Sequence, residues 1–136
     1  MRFLDTNILL YAVSTAPEEE AKARRALALL EDDDWNLSVQ VLQEFYVQAT
    51  RASRPDRITH AHAAALIESW LRFRVQETTV PVLQNALILK ERHGLSFWDC
   101  TILAAAHAAG CHEIFSEDLA HDRDYDGLRV INPFAH

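Results

Sequence analysis

Short apolar runs and longer stretches of helical periodicity take turns along this chain. Residues 2–5 read as a short buried strand, and 7–13 as a helix start or a turn. Pro17 followed by Glu18, Glu19 and Glu20 opens a helix well, because proline suits the first helical position and acids suit the first turn. Ala21, Arg24, Leu27, Ala28 and Leu30 continue it at helical spacing, and the acidic run 31–34 ends it. Residues 35–39 predict a second strand. Val41, Leu42, Phe45 and Ala49 then recur at helical spacing, and Pro55 stops that element. Residues 61–73 predict an amphipathic helix with Ala64, Ile67, Trp70 and Leu71 on its apolar side. A strand is expected within 75–82, a helix over 83–91, a break at Gly94, and a strongly apolar helix over 96–109 ended by Gly110. The last strands fall at 113–116 and 128–131. Strands alternating with helices predict an α/β domain with a mostly parallel sheet. Ligands of such sheets sit beyond the carboxyl ends of the strands, where Asp5 and the group Ser116, Glu117, Asp118 fall.

Composition narrows this picture. Hydrophobic residues at 49% and charged residues at 24% suit a globular chain, and 136 residues suffice for one domain with a real core. No apolar run approaches the ~20 residues that span a bilayer, and the start lacks a signal peptide's pattern. Two cysteines without a CxxC pair argue against a disulfide framework, so a reduced cytoplasmic setting without membrane attachment is expected. The net charge of −7 argues against binding nucleic acid by bulk attraction alone. Only Lys22 and Lys90 are lysines, so arginine, whose planar fork suits phosphate, carries the positive charge.

Four acids interrupt apolar contexts: Asp5 in FLDTN, Glu44 in VLQEFYV, Asp99 in SFWDCTIL and Asp118 in IFSEDL. A buried ionised carboxylate is costly unless it is paired, hydrogen-bonded or metal-bound. Each acid has a purely structural explanation. Asp5 suits a helix cap, Asp99 a capping box with Ser96, Asp118 a cap or turn, and Glu44 a solvent-facing helical position. Four together at element ends favour a shared role. Clustered carboxylates repel unless something neutralises them, and Mg²⁺ and Mn²⁺ prefer oxygen ligands. Thr6 and Asn7 add neutral oxygens. Mg²⁺ held this way keeps several waters and can activate one against a phosphodiester.

FLDTNILLYA, the Glu within QEF, SFWDCTILAAA, IFSEDL and the ending GLRVINPF resemble a PIN domain. More closely, they resemble the VapC-type ribonuclease toxins of bacterial type II toxin–antitoxin systems. The resemblance spans essentially the whole chain, read as one domain over 1–136. It implies a three-layer sandwich with a central, mostly parallel sheet flanked by helices. It also implies that Asp5, Glu44, Asp99 and Asp118 are catalytic and hold the metal, Mg²⁺ or Mn²⁺, with Asp5 and Asp99 the principal ligands. Thr6, Asn7 and Ser116 match polar residues lining that site. The implied activity is endonucleolytic cleavage of RNA leaving a 5′-phosphate and a 3′-hydroxyl, in a homodimer neutralised by a cognate antitoxin. Glu117, Asp122 and Asp124 are neighbours able to share or replace the role of Asp118, and the sequence does not order them.

Other signals carry less. Arg51, Arg54 and Arg57 flank Pro55 and read equally well as a solvated loop or as contacts for RNA phosphates. The histidines His60, His62, His107 and His112 lack zinc-finger spacing, and the dispersed glycines make no phosphate loop. Trp70, Phe73 and Tyr11 read as core or interface. An antitoxin is expected to insert an arginine among the carboxylates and lay an amphipathic helix near Leu10, Tyr11, Phe45 and Trp70. Two other functions remain open. One is a phosphatase of the HAD-like or another type with Asp5 as nucleophile, although its usual second acid is replaced by Asn7. The other is a non-catalytic module of the same fold that binds RNA or protein.

Overall fold

In strand β1 (Arg2–Leu4), the neighbours Phe3 and Leu4 point to opposite faces of the sheet, and both are fully buried. Strand β2 (Trp35–Ser38) is buried at every position. A sheet buried on both faces has helices on both sides, which is the setting of parallel sheets. The computed structural model, which describes residues 1–135, has this arrangement. Its six strands lie in the order β3, β2, β1, β4, β6, β5, where β3 is Arg74–Gln76, β4 Glu113–Phe115, β5 Asp124–Tyr125 and β6 Leu128–Ile131. All neighbours run parallel except β5, which is antiparallel to β6.

The helices form two groups. Helix α1 (Thr6–Val13) packs on α2 (Glu20–Leu29) and α3 (Val39–Ala49), and α3 packs on α4 (His60–Trp70). Helix α5 (Val80–His93) packs on α6 (Phe97–Ala108), the most thoroughly buried helix, whose Cys100 to Ala106 are all inside. Among the described residues no helix is long and apolar enough to cross a membrane.

Local chemistry moved several boundaries from those the sequence predicts. Asp5 leaves the strand to cap α1, so the helix starts at Thr6. Ser38 ends β2 and caps α3 without any loop between them. Helix α3 stops at Ala49, well before Pro55, where the Thr50 hydroxyl turns back to the Tyr46 carbonyl at 2.7 Å. On α4, Ala63 takes the innermost position, while Leu71 lies beyond the helix and is 48% exposed. Thr79 caps α5 ahead of Pro81, and Gly94 closes it with φ +69°, the left-handed conformation that favours glycine. Strand β4 stops at Phe115, one residue short of Ser116. Strand β5 is an addition. It folds back on β6 through Asp126 and Gly127, both at positive φ, the Asp-Gly pair that suits a two-residue hairpin.

Candidate active site

The order of the strands reverses between β1 and β4, since β2 and β3 lie to one side and β6 and β5 to the other. A crevice opens at such a switch point, beyond the carboxyl ends of the two central strands. Asp5 follows β1 there, and its backbone N–H donates to the Phe115 carbonyl at 3.0 Å. Its carboxylate accepts from the Thr6 N–H at 2.7 Å and from the Ser116 hydroxyl at 2.8 Å, with the Asn7 amide at 3.4 Å. Capping and site-building are thus combined in one side chain. Asp5 is only 4% exposed, and burial pushes its pKa from 3.8 up to about 7. The Ser116 and Thr6 hydrogen bonds oppose that rise, and the charges of Asp118 and Asp99 add to it.

The other three acids arrive on separate elements. Glu44 projects from α3, where the Thr6 hydroxyl donates to one carboxylate oxygen at 3.0 Å and the Gln40 amide to the other at 3.1 Å. Asp99 lies in the first turn of α6, where its N–H donates to the capping Ser96 hydroxyl at 3.1 Å. Its own carboxylate accepts no hydrogen bond from the described residues. Asp118 follows β4 and accepts from the Asn7 amide at 3.1 Å, while its N–H donates to Ser116 Oγ at 3.1 Å. Asp5, Glu44, Asp99, Asp118, Thr6 and Asn7 together line one cavity of about 240 Å³. Ser116 fastens its floor from behind.

The neighbouring acids have other occupations. Glu117 turns to Lys22 and Tyr11, at 2.5 Å from each. Burial raises its pKa, but those two hydrogen bonds outweigh it and leave the group below its usual range. Asp122 pairs with Arg129 at 2.8 Å, and Asp124 accepts from the Gly127 N–H to close the β5–β6 hairpin. Neither of these two lines the cavity, whereas Glu117 and Glu19 do.

The three arginines are separated. Arg54 lines the acidic cavity, with its Nε donating to Asp56 at 3.1 Å. Arg51 lines an adjoining groove, and Arg57 turns away to the Ala52 carbonyl. Leu10 and Tyr11 border the acidic cavity, as a docking face for a helix requires. Phe45 and Trp70 do not. They form a buried edge-to-face pair with ring centroids 4.8 Å apart, which removes them from any such surface. The sequence reading passed over Gln40, whose four-residue spacing from Glu44 on one helix was the available signal, and over the pairing of Lys22 and Tyr11 with Glu117, which is remote from both in the chain.

Among the described residues no three His, Cys, Asp or Glu side chains close into a ready-made metal cage. The carboxylates instead line an open cavity. Crowded, largely anionic oxygens with neutral oxygens beside them fit a small hard divalent cation that keeps part of its water shell.

Comparison with known proteins agrees with this geometry. The family model described as the PIN domain matches residues 2–125. The chain belongs to the PIN domain family. The PIN fold is also shared with solved toxin structures. Mycobacterium tuberculosis VapC20, described as a sarcin–ricin loop cleaving toxin, superposes with TM-score 0.68 at 23% identity, over 87% of this chain and 92% of that one. A toxin–antitoxin complex from Klebsiella pneumoniae gives TM-score 0.69 at 19% identity over 98% of both chains. VapBC2 from Rickettsia felis, bound to a DNA fragment from its promoter, gives 0.64 at 17% over 95% and 96%. No curated protein sequence matches the chain.

Proposed function

We propose that this chain is a single PIN domain acting as a metal-dependent endoribonuclease toxin, paired with a second copy of itself and silenced by a cognate antitoxin. The observation that carries this reading is the meeting of Asp5, Glu44, Asp99 and Asp118, from four separate elements, on one cavity at the switch point of the sheet. Structural neighbours that are toxins, or toxins held by antitoxins, support the biological setting.

Bound Mg²⁺ or Mn²⁺ would supply charge neutralisation and a water acidic enough to attack a phosphodiester. Asp5 and Asp99 would be its principal protein ligands, with Glu44 and Asp118 completing the donor set. The chain's own work is orientation. Thr6 and Gln40 aim the two oxygens of Glu44, and Ser116 and the Thr6 N–H hold Asp5 in one rotamer. Asn7 ties Asp118 to the start of α1 and accepts from the Glu117 N–H, so the loop after β4 stays against the cavity. Glu117 is committed to Lys22 and is left out of the donor set. The hydrolysis would leave a 5′-phosphate and a 3′-hydroxyl. An antitoxin arginine entering the cavity would compete with the cation and so block catalysis.

An aspartyl-phosphate mechanism fits less well. Such enzymes place a second acid two residues after the nucleophile, and here that position is Asn7, whose amide donates to Asp118 at 3.1 Å.

The deciding experiment treats RNA with the purified chain and Mn²⁺, beside a generic phosphatase substrate. RNA cleavage should vanish with a chelator, return with Mg²⁺ or Mn²⁺, and be mostly lost in Asp99→Asn, since an amide is a poor substitute for an anionic ligand. Cleavage by Asp99→Asn at the wild-type rate, or turnover of the phosphatase substrate alone, would refute the reading.

A further inference from the structure

Trp98 breaks the rule that this chain's tryptophans follow. Trp35 and Trp70 are 1% and 4% exposed, whereas Trp98 is 64% exposed. It stands in the first turn of α6, one residue before Asp99. Its backbone is well fixed, because the Trp98 carbonyl accepts from Thr101 Oγ1 at 2.7 Å and from the Gln40 amide at 3.3 Å. A rigid mount holding a large apolar ring out in water calls for an explanation.

Trp98 lines a groove of about 460 Å³ together with Glu44, Asp99 and Asp118, three acids that also line the cavity described above. Gln40, Gln43, Val47, Gln48 and Arg51 complete the groove, with the Gln40 amide tied to Glu44 and the Trp98 carbonyl. Among the described residues the side-chain amides of Gln43 and Gln48 and the Arg51 guanidinium make no hydrogen bond or ion pair, so each is open to a ligand.

We propose that this groove binds an unpaired RNA strand, with the base beside the scissile phosphate stacked on Trp98 and a neighbouring phosphate against Arg51. The inference rests on the nuclease reading and adds the class of substrate and the means of holding it. Every base has a π-face, so an exposed indole grips a strand whatever its sequence, but only where the base is free of a duplex stack. Stacking also meets the electrostatic difficulty of a chain with net charge −7, since it does not depend on bulk attraction for RNA. Arg51 supplies a local, planar phosphate contact. Because the groove and the cavity share a wall, a strand lying on Trp98 passes directly over the acids.

The test uses the whole chain in chelator, so that binding is read without turnover. With Trp35 and Trp70 buried, quenching of tryptophan emission by acrylamide reports mainly on Trp98. A single-stranded oligoribonucleotide should protect Trp98 from acrylamide, and a perfect duplex of equal length should bind more weakly. Trp98→Ala should weaken binding by about 5- to 150-fold, the range of one base–aromatic stack, with Trp98→Phe recovering much of the loss. Arg51→Ala should reduce the slope of log affinity against log salt by about 0.7, one phosphate's worth on a single strand. Unchanged affinity in Trp98→Ala overturns the proposal, as does equal affinity for the duplex. So does protection that rises with protein concentration in the absence of RNA, which would assign the ring to an interface between copies. Cleavage kinetics with Mn²⁺ keep the two readings apart. Wild-type cleavage with KM unchanged in Trp98→Ala defeats the stacking groove alone, whereas RNA binding without any wild-type cleavage defeats the nuclease reading alone.

Discussion

At the scale of single residues, the site is a set of carboxylates whose repulsion is balanced by hydrogen bonds from Thr6, Asn7 and Ser116. Asp5 carries most of that tension. A buried acid whose pKa is raised in the fold is held protonated there, so its contribution to stability falls as pH rises from its ordinary 3.8 towards about 7 and is level above that. The whole span is on the order of 4 kcal/mol. In chelator, therefore, the wild type should lose stability between about pH 4 and pH 7, and Asp5→Asn should show a much flatter profile, as measured by urea denaturation at each pH. An equal slope in both would mean that Asp5 does not titrate in this window. Thr6→Val tests the orientation of Glu44. The substitution keeps the shape and removes the hydroxyl that donates to Glu44 at 3.0 Å. Losing such a supporting contact should raise the Mn²⁺ concentration for half-maximal cleavage by about 10-fold, read from a metal titration of the rate.

At the scale of elements, three of the acids owe their positions to helix starts. Asp5 is itself the cap of α1, Ser38 caps α3 with Glu44 in the second turn, and Ser96 caps α6 at the N–H of Asp99. Ser38→Ala should cost about 1 kcal/mol, the usual worth of a serine cap, and should reduce cleavage as the first turns of α3 loosen. Chemical denaturation alongside the cleavage assay checks both, and a stability loss with full activity would separate the cap from the site. The Asp5 and Ser96 caps were legible in the sequence, because cap chemistry is local, whereas Ser38 falls within a strand that the pattern predicts to run to residue 39. The end of α3 was not legible either: Pro55 marks the latest possible stop, whereas the actual stop is at Ala49, whose carbonyl accepts from the Ile58 N–H at 2.9 Å, a partner beyond the proline. Strand β5 was missed because two residues carry no periodicity, although the Asp126-Gly127 pair gave the turn away.

At the scale of the whole molecule, the acids are a coupled charge cluster formed only when the sheet is assembled. Cation binding to the folded state alone should therefore stabilise it by linkage, by about 2.7 kcal/mol at a hundred times the dissociation constant. The melting temperature should rise with Mg²⁺ in the wild type and much less in Asp99→Asn. In chelator the variant should be at least as stable as the wild type, because Asp99 adds to the charge that Asp5 feels. Differential scanning calorimetry with and without Mg²⁺ measures both, and an equal Mg²⁺ response in the two proteins would remove Asp99 from the donor set.

The amino-acid sequence by itself determined the alternation of strands and helices, the apolar character of α6 and the four interruptions of acid in apolar context. Periodicity, capping and the cost of burying charge act over a few neighbouring residues and can be read along a line. Which acids share a cavity was decided by tertiary structure. The reversal of strand order between β1 and β4 joins Asp5 to Asp118 across more than a hundred residues. Lys22, remote in sequence, pairs with Glu117, which lines the same cavity. The same is true of the aromatic rings: at the level of pattern Trp70 and Trp98 are both tryptophans in helices, and only packing buries one against Phe45 and leaves the other exposed. Burial and through-space charge depend on what the folded chain brings near, and spacing along the sequence does not carry that information.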